Sequence, residues 1–535
     1  MYVLFRRDFR KFLLLLLCWG VALAAHAQFK KKDKDKEKPA PPAQTYRAEI
    51  ESDSFDEDHW VQPLPDSTLL VITTKRNSWF GKNDFVLTRF DRHLKQVWQT
   101  KQEHKPYHDL FMVTAERGKV YLLFSTSSSS KKLLLYQVNT KTGGVTSSEH
   151  VLPSTYITIN EIAAIDGQVF ISGIEKFSLN MLHLNPAQEE IKILPAVFGM
   201  EEDLGEFRVD TLTRAVEFVV SESNGLRSRI QAKRMNTKGE VIGTYFIQPE
   251  VQQRVDNVLQ AARLAPGDTL SKLLIGTFGY RTSIFSKGLY TSGLAGDIKY
   301  HDFNKLNHFF DYLGPGAQRR MKAKLARQEA KEKPLVLRYR MLLHPIMPHP
   351  QGYALVGEIY YPQYRGDNFN YFNYGRHMPY GMSPEPRRAL DRAQGYRFSH
   401  VIACVFDKEG NLLWDNSYQL QNNTYPDLAP TVEAGVAPDG SISLLYPEDE
   451  FLWYKTLSPN TTYSDEEKVE VRVGAESEKM VSSNNEGISH WYGGNFVAFG
   501  FQRIKPAGGD GRTVFYLQNI SFEQPAAAGE AAAVK

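Results

Sequence analysis

The chain has 535 residues but only two cysteines, Cys18 and Cys404, and its formal net charge is only +3. Cys18 lies in an apolar N-terminal stretch, so a chain cleaved after that stretch keeps one thiol and cannot form an internal disulfide. We therefore expect the fold to depend on its core alone, with Cys404 as a small buried residue in the apolar segment VIACVF. The near-neutral charge argues against a nucleic-acid-binding protein, which needs a concentrated basic surface.

The sequence also lacks the local signatures of common active sites. It contains no G-x-S-x-G elbow, P-loop, G-x-G-x-x-G or H-E-x-x-H pattern. His301 and His308 are seven positions apart, and His344 and His349 flank a proline-rich turn, but neither spacing fits a zinc site. The sequence therefore predicts no metal and no cofactor, and it leaves enzymatic activity open, because the residues of an active site can be dispersed along a chain.

Long apolar runs are absent except at the N-terminus, which has the layout of an export signal. Four basic residues within 6–11 precede the apolar segment 12–23, and a small-x-small cleavage motif follows at 25–27. We expect residues 1–27 to be a cleaved signal peptide. It would direct export by the general secretory route or by the twin-arginine route, because the basic residues resemble a twin-arginine signal. A retained anchor is disfavoured, because the run has about 12 residues where roughly 20 span a bilayer. No transmembrane segment is expected after cleavage.

Two low-complexity segments flank the remainder of the chain. Residues 28–45 include the charged and proline-rich run KKKDKDKEKPAPPA, and residues 524–535 read QPAAAGEAAAVK. Neither segment holds residues that form a core, so we expect a disordered linker and a disordered tail. The folded domain is predicted to span residues 46–523.

One pattern occurs eight times in this domain: an apolar strand, a short break and a second strand. The first strands begin at Thr68, Lys119, Gln168, Ala215, Lys272, Tyr353, Ser441 and Phe496. Their partners begin at Asp84, Lys132, Leu179, Ser228, Ser283, Ser399, Glu450 and Arg512. Shorter strands before and after most pairs bring each unit to about four strands, which is a propeller blade.

The repeat therefore predicts an all-β fold, a β-propeller of about eight four-stranded blades. Seven blades is the alternative, because the fourth strand is not visible in every unit, and a pair of β-sandwiches is the competing architecture. The segment YRAEI from Tyr46 precedes the first full unit. We expect it to join the last blade and lock the ring.

Two blade-like segments carry a resemblance to known proteins. FVLTRFDRHLKQVW (85–98) and IACVFDKEGNLLW (402–414) resemble the blades of secreted bacterial propeller proteins, and LVGEIYYPQY (355–364) is similar to segments of exported proteins of Bacteroidota. The resemblance covers most of the mature chain and implies an exported propeller. It carries no catalytic residues, and WD or Kelch signatures are absent.

The spacing of the units widens around the fifth and sixth, where two insertions fall. The first, about 304–334, contains PGAQRRMKAKLARQEAKEK from Pro315 to Lys333, whose composition and Gly-Pro-Gly opening predict a helix. Met321 and Leu325 form a thin apolar stripe. We expect a solvated helix packed on the ring, with binding to an acidic lipid surface as the alternative.

The second insertion, 360–396, places many tyrosines and phenylalanines among Asn, Gly and Arg. Loops of this length are usually functional or disordered, and the aromatic content argues against disorder. Tyr with Asn and Arg is typical of surfaces that bind proteins or stack on sugar rings. A structural plug over one ring face is the alternative. The predicted binding residues are Tyr361, Tyr364, Tyr371, Phe372, Tyr374 and Arg376.

These observations favour a non-enzymatic, exported binding or scaffold module of the cell envelope. We expect a monomer, in the periplasm or outside the cell, with an envelope protein or glycan as partner and no nucleic acid. The alternative is a carbohydrate-active hydrolase or lyase with its site at the propeller channel. Its carboxylates would be Glu358, beside the aromatic insertion, and Asp407 in the next unit.

Overall fold

The computed structural model describes residues 41–523 except for 53–56, 76–82, 105–107, 127–130, 155, 176–177, 189–190, 195–203, 224–227, 250–256, 268–271, 281–283, 295–296, 332–336, 365–392, 422, 449, 462–466, 475–476 and 507–508. The chain divides into two units, Met1–Pro42 and Ala43–Lys535, and the described residues of the second form the fold below.

Eight antiparallel sheets, each with four core strands, form a ring of blades. Blade 1 consists of β2 (Glu57–Pro63), β3 (Leu69–Lys75), β4 (Asn83–Phe90) and β5 (Gln96–His104). Blade 2 consists of β6 (Asp109–Glu116), β7 (Lys119–Ser125), β8 (Lys132–Asn139) and β9 (Val145–Val151). Blade 3 consists of β10 (Ile157–Ile165), β11 (Gln168–Glu175), β12 (Ser178–Leu184) and β13 (Ile191–Leu194). Blade 4 consists of β14 (Leu204–Asp210), β15 (Ala215–Ser223), β16 (Ser228–Met235) and β17 (Val241–Ile247).

The second half of the ring contains the longer strands. Blade 5 consists of β18 (Asn257–Leu264), β19 (Leu273–Tyr280), β20 (Ser286–Gly293) and β21 (Ile298–Asp302). Blade 6 consists of β22 (Arg340–Leu343), β24 (Gly352–Tyr364), β25 (Ala393–Phe406) and β26 (Leu412–Gln419), with β23 (Met347–His349) on β24 and β27 (Thr424–Tyr425) on β25. Blade 7 consists of β28 (Glu433–Val436), β29 (Ile442–Glu448), β30 (Phe451–Leu457) and β31 (Glu467–Glu470). Blade 8 consists of β32 (Glu478–Tyr492), β33 (Asn495–Pro506), β34 (Arg512–Ser521) and β1 (Arg47–Glu51).

The N-terminal strand closes the ring. β1 pairs antiparallel with β34, from Arg47 opposite Gln518 to Glu51 opposite Val514. Because β32, β33 and β34 come from the other end of the chain, this pairing joins the two ends without a covalent bond. The predictions of eight blades and of a closing strand from Tyr46 onward are both confirmed.

Burial along the strands explains the repeated sequence pattern. The second strand of each blade is covered on both faces by neighbouring blades, and β7 and β19 are accordingly buried along nearly their whole length. The outer strands β5 and β17 alternate between exposed and partly buried residues, because only one face is covered. Each core cluster combines neighbouring blades; Ile72 of blade 1, for example, packs with Leu122 of blade 2. A blade therefore depends on its neighbours for its core.

The first insertion forms the predicted helix, α1 (Pro315–Glu329), with Pro in the first turn after Gly314. Leu325 is buried, and Met321 is partly buried against the same cluster of blade 5 and blade 6 residues. This agrees with the expected helix that packs through a thin stripe. No helix in the described part of the chain is long and apolar enough to cross a membrane.

The second insertion differs from the prediction at both boundaries. β24 continues to Tyr364 and β25 already begins at Ala393, so the ends of the predicted loop 360–396 are strand residues. The reason is packing: Tyr360 and Phe398 belong to the core cluster between blades 6 and 7, which extends the hairpin outward. The loop between the two strands lies outside the described residues.

Candidate functional site

The ring has two faces, because equivalent strands of all blades point the same way. The closed face carries the turns between first and second strands, such as Asp166-Gly167, whose backbone has positive φ at both residues as in a type I′ turn. The open face carries the ends of the second strands, which include Lys75, Tyr364 and Pro506. These two names are used below.

Two neighbours of blade 7 extend far beyond the other blades at the open face. The second strands of six blades, β3, β7, β11, β15, β19 and β29, have 7 to 9 residues. In blade 6, β24 has 13 residues, and in blade 8, β33 has 12. At about 3.3 Å per residue, the three to six additional residues lengthen these two strands by roughly 10–20 Å along the strand direction. Blade 7 therefore forms the floor between two walls.

The wall from blade 6 is aromatic and well packed. The Tyr360 ring lies 6.0 Å from Tyr396 and 6.1 Å from Phe398, and Phe398 lies 5.8 Å from Tyr425, measured between ring centroids. Edge-to-face and tilted pairs of this kind add to the stability gained from burial. The wall is therefore a rigid base for the chain that continues beyond Tyr364.

The six predicted binding residues fall in three places. Tyr361 is partly buried against the cluster that also holds Leu325 of α1, so it contributes to packing rather than to an open binding surface. Tyr364 ends β24 opposite Ala393. Tyr371, Phe372, Tyr374 and Arg376 lie outside the described residues, in the connection between those two strand ends.

The wall from blade 8 is charged. Arg512 Nη2 donates to Glu49 Oε2 at 2.7 Å and to Glu478 Oε1 at 3.0 Å, which ties β34 to β1 and β32. Arg47 Nε donates to Glu49 Oε1 at 2.8 Å, and Arg47 Nη2 donates to Gln502 Oε1 at 2.7 Å. Burial alone would raise the pKa of Glu49, but the two arginines outweigh it and lower that pKa. An aromatic wall thus faces blade 7 from one side and an ionic wall from the other.

Blade 7 itself supplies a floor with free polar atoms. Lys468 Nζ lies 3.8 Å from the centroid of the Phe451 ring and 5.1 Å from that of Trp453. Glu448, the last residue of β29, accepts a hydrogen bond from Asn423 through Oε1. Within the described residues, Glu448 Oε2 and Trp453 Nε1 are buried without a hydrogen-bond partner. Buried polar atoms usually have partners, so these two are available to a bound water or ligand.

Glu358, one of the two alternative catalytic residues, has a structural role. Its buried carboxylate accepts hydrogen bonds from His344 Nε2 at 2.7 Å, Thr431 N at 2.8 Å, Val432 N at 3.2 Å and the Thr431 hydroxyl. These four hydrogen bonds engage both carboxylate oxygens and connect blade 6 to the start of blade 7. A carboxylate engaged in this way cannot also serve as an acid or base toward a substrate.

Asp407, the other alternative catalytic residue, lies at the opposite end of the blade. It sits in the closed-face turn after β25, where its carboxylate accepts from Asn411 N and Asn411 Nδ2, both at 2.7 Å. Burial slightly raises the pKa of Asp407, but the hydrogen bonds from Asn411 lower it overall. Glu358 pairs with Val401, and Asp407 lies six residues further along the same strand direction, so the two residues are about 20 Å apart. Glycosidase pairs need roughly 5–10 Å, so the predicted pair is not assembled.

The floor residues Glu448 and Trp453 were missed by sequence reasoning. The only signal was a glutamate and a tryptophan near the tip of an otherwise apolar hairpin, YPEDEFLWY. Such residues are common at exposed tips, and nothing local shows that neighbouring strands bury them. Within the described residues, no group of three or more His, Cys, Asp or Glu side chains could hold a metal ion.

A closed ring of eight four-stranded blades defines this protein as a β-propeller. No family model and no curated protein matches the chain. Among solved structures it is similar to a Synechocystis apocarotenoid oxygenase mutant, with 10% identity, 44% of this chain and 58% of that chain covered, and a TM-score of 0.29. It is also similar to Kluyveromyces lactis Hsv2, with 12% identity, 74% and 93% covered, and a TM-score of 0.35. A third similarity is to a prolyl endopeptidase, with 10% identity, 85% and 54% covered, and a TM-score of 0.35.

The chain spans about three fifths of the length of the oxygenase chains that it matches. At TM-scores this low, the similarities carry no argument about activity or ligand. The function must be argued from the described surfaces themselves.

Proposed function

We propose that this protein is an exported, non-enzymatic binding or scaffold propeller of the cell envelope, which holds an envelope protein or glycan on its open face. The observation that carries the proposal is the pair of long hairpins in blades 6 and 8, which rise from the same face on either side of blade 7. Ordering the residues of a strand that extends beyond the blade core costs conformational entropy. The extension of these hairpins on one face only indicates a surface built for a partner.

The chemistry of this region supports binding. The chain leads from the packed wall of blade 6 into the aromatic insertion, whose tyrosines among Asn and Arg are typical of binding surfaces. The opposite wall offers fixed charges, and the floor offers free polar atoms at Glu448 and Trp453. Large aromatic contacts with polar groups at the rim are typical of protein and glycan recognition.

Two further observations support export without catalysis. The N-terminal sequence has the layout of a cleavable signal. The one thiol left after cleavage, Cys404, is fully buried in β25, and burial raises its pKa well above the usual range. A buried neutral thiol neither attacks substrates nor forms unwanted disulfides in an oxidising compartment.

The test is site-specific photocrosslinking in living cells of the source organism. A photoreactive phenylalanine analogue at Tyr371 or Tyr374 should give a discrete adduct with one envelope component. The same analogue at Val241, which is exposed on the outer strand of blade 4, is the matched control and should give none. Tyr371→Ala and Tyr374→Ala should weaken capture of that component by the purified protein. Equal labelling from the insertion and from Val241, or none from either, would contradict the proposal.

A further inference from the structure

The first strands of the blades form the inner wall of the ring. β10 contacts β6 and β14, β18 contacts β14 and β22, and β32 contacts β28 and β2. An inner strand has a neighbouring blade on each side. A side chain that stays exposed in the middle of such a strand therefore faces the ring axis, and we call the space on that axis the central channel.

Four successive first strands are irregular at the same depth of this channel. In each of these four blades, the first strand (β6, β10, β14 or β18) has a bulge. The bulge lies opposite or next to the fifth residue of the second strand of the same blade. The bulges lie between Leu110 and Met112, Ile159 and Glu161, Leu204 and Glu206, and Leu259 and Ala262. In blade 6 the first strand is divided at this depth into β22 and β23. Bulges re-aim side chains and are common next to binding sites.

Blade 1 contributes an exposed indole to the channel. Trp60, in the middle of β2, is 41% exposed. Its strand neighbours His59 and Val61 turn the other way, toward blade 8, where the His59 ring stacks on Phe515 with 4.1 Å between centroids. Trp60 therefore lies on the side of β2 that blade 8 does not cover. A large exposed indole on an inner wall is unusual for a residue that serves packing alone.

Blades 3 to 5 contribute polar groups at the same depth. Asn160 and Glu161 are exposed at the bulge of β10. Arg263 of β18 donates from Nε and Nη2 to Leu343 O of blade 6, at 3.1 and 2.8 Å. In the described part of the chain, no carboxylate oxygen lies within 4.0 Å of this guanidinium, so a carbonyl holds it in place without an ion pair, although its charge acts on Glu161 and Glu206. Its remaining N–H groups are free to bind.

Glu206 adds a second polar group on the same wall. Its Oε2 accepts from Leu264 N at 2.6 Å, whereas Oε1 is buried with no partner among the described residues. Burial raises the pKa of Glu206 and of Glu161, and the charge of Arg263 opposes the shift in both. The exposed Glu161 carboxylate can accept hydrogen bonds from the hydroxyl groups of a ligand.

We propose that the central channel binds a saccharide, with the Trp60 indole against the face of a sugar ring and Asn160, Glu161 and Arg263 hydrogen-bonded to its hydroxyl groups. Sugar hydroxyls both donate and accept, which matches an amide, a carboxyl group and a fixed guanidinium. The apolar face of the ring matches an indole. A metal ion would need more carboxylate or imidazole ligands, and a nucleic acid would need a basic wall. The proposal does not depend on the open face, because the two sites share no residue.

The experiment is isothermal titration of the full mature chain with chitotetraose, cellotetraose, mannotetraose and trigalacturonate at pH 7. We expect at least one to bind. Trp60→Ala should weaken its binding by about tenfold or more, and Trp60→Phe by less, because a smaller aromatic face remains. Phe246→Ala, an exposed aromatic on the outer strand β17, is the control and should bind like the wild type. Circular dichroism should show that all variants fold.

Arg263→Gln separates neutral from acidic sugars. If only trigalacturonate binds and this variant loses it, the ligand is an acidic saccharide recognised by the guanidinium. If a neutral tetrasaccharide binds, Asn160→Ala should weaken it severalfold, which places the hydroxyl contacts at the β10 bulge. Failure of all four sugars to bind the wild type, or equal binding by Trp60→Ala, would overturn the proposal. Loss of crosslinks from Tyr371 with retained sugar binding would reject only the open-face function.

Discussion

The two faces of the ring differ in what their residues do. On the closed face, hydrogen bonds or ion pairs connect one blade to the next around most of the ring. They are Arg89 to Thr140 O, Glu116 to Gly167 N, Asp166 to Arg214, Asp210 to Gly267 N, Thr291 to Gly410 O, His349 to Gly440 O, and Trp491 to Thr68 O. On the open face, the long hairpins of blades 6 and 8 lie on either side of blade 7. Blade 7 itself has buried polar atoms, at Glu448 and Trp453, without hydrogen-bond partners among the described residues. The comparison suggests that one face holds the ring together while the other can vary for binding.

The strongest connection lies between blades 4 and 5, toward the closed face. Lys272 is fully buried and contacts both Asp210, at 2.5 Å, and Glu217. Glu217 also receives Arg208 at 3.0 Å and Arg234 at 2.9 Å. Buried charges are tolerated only when every partner is present.

The largest effect is therefore expected from Glu217→Ala. It leaves Lys272 and Arg234 buried without their shared carboxylate, which should cost about 3–5 kcal/mol of unfolding free energy in a urea titration. Arg214→Ala is the matched control on the same face, since its ion pair with Asp166 is exposed and should contribute about 1 kcal/mol or less. Equal losses in the two variants would refute the ranking of these connections.

A smaller loss is expected from Glu358→Gln, in the half of blade 6 nearer the open face. Both backbone N–H groups of Thr431 and Val432 donate to Oε1, so the glutamine oxygen takes that place and the amide N–H₂ group replaces Oε2 beside the Thr431 hydroxyl. The hydroxyl loses its acceptor, and the remaining hydrogen bonds lose the charge that strengthens them. The cost should be about 1–3 kcal/mol of unfolding free energy. Crosslinking from Tyr374 and sugar binding in the channel should be unchanged in the folded variant. A variant of normal stability that had lost either binding function would show that Glu358 is a site residue after all.

The remaining effects are absent at neutral pH and concern acid stability. Burial lowers the pKa of His59 to about 4, so the unfolded chain binds a proton more readily, and stability should fall as pH drops from about 6.5 toward 4. Burial lowers the pKa of His400 to about 3, so this histidine also makes stability fall as the pH drops. For Asp210, burial would raise the pKa, but Lys272 holds it at about 2, so its contribution is lost between about 3.8 and 2.

Thermal melts of the wild type and of His59→Asn between pH 7 and pH 4 test this expectation. The wild type should lose more of its melting temperature over that range than the variant, because the variant lacks the His59 contribution. A variant as acid-sensitive as the wild type would show that His59 does not carry the effect. Melts below pH 4 should show the further loss that Asp210 causes.

The architecture was predictable because the relevant signals are local. Strands buried on both faces read as apolar runs, and α1 reads as a Pro-started segment of strong helix formers. The boundaries of the second insertion were wrong because Tyr360 and Phe398 look like loop aromatics until blade 7 covers them. The role of Glu358 was wrong because its donors lie at Thr431 and Val432, more than 70 positions away.

The candidate channel site was not predictable for a related reason. Trp60, Glu161 and Arg263 come from three different blades, and each is an ordinary residue in its own strand. Ring closure places their strands around one axis, and a bulge changes the direction of the chain at Glu161. Neither leaves a mark on the residues nearby in sequence.

By itself, the sequence determined the class of fold and the strand that closes the ring, and it favoured eight blades over seven. Those features follow from the periodicity of apolar burial, which each segment expresses locally. The tertiary structure decided the number of blades, which acids are structural and which strands extend past the core. These outcomes depend on contacts between blades, where distance along the chain has no relation to distance in space.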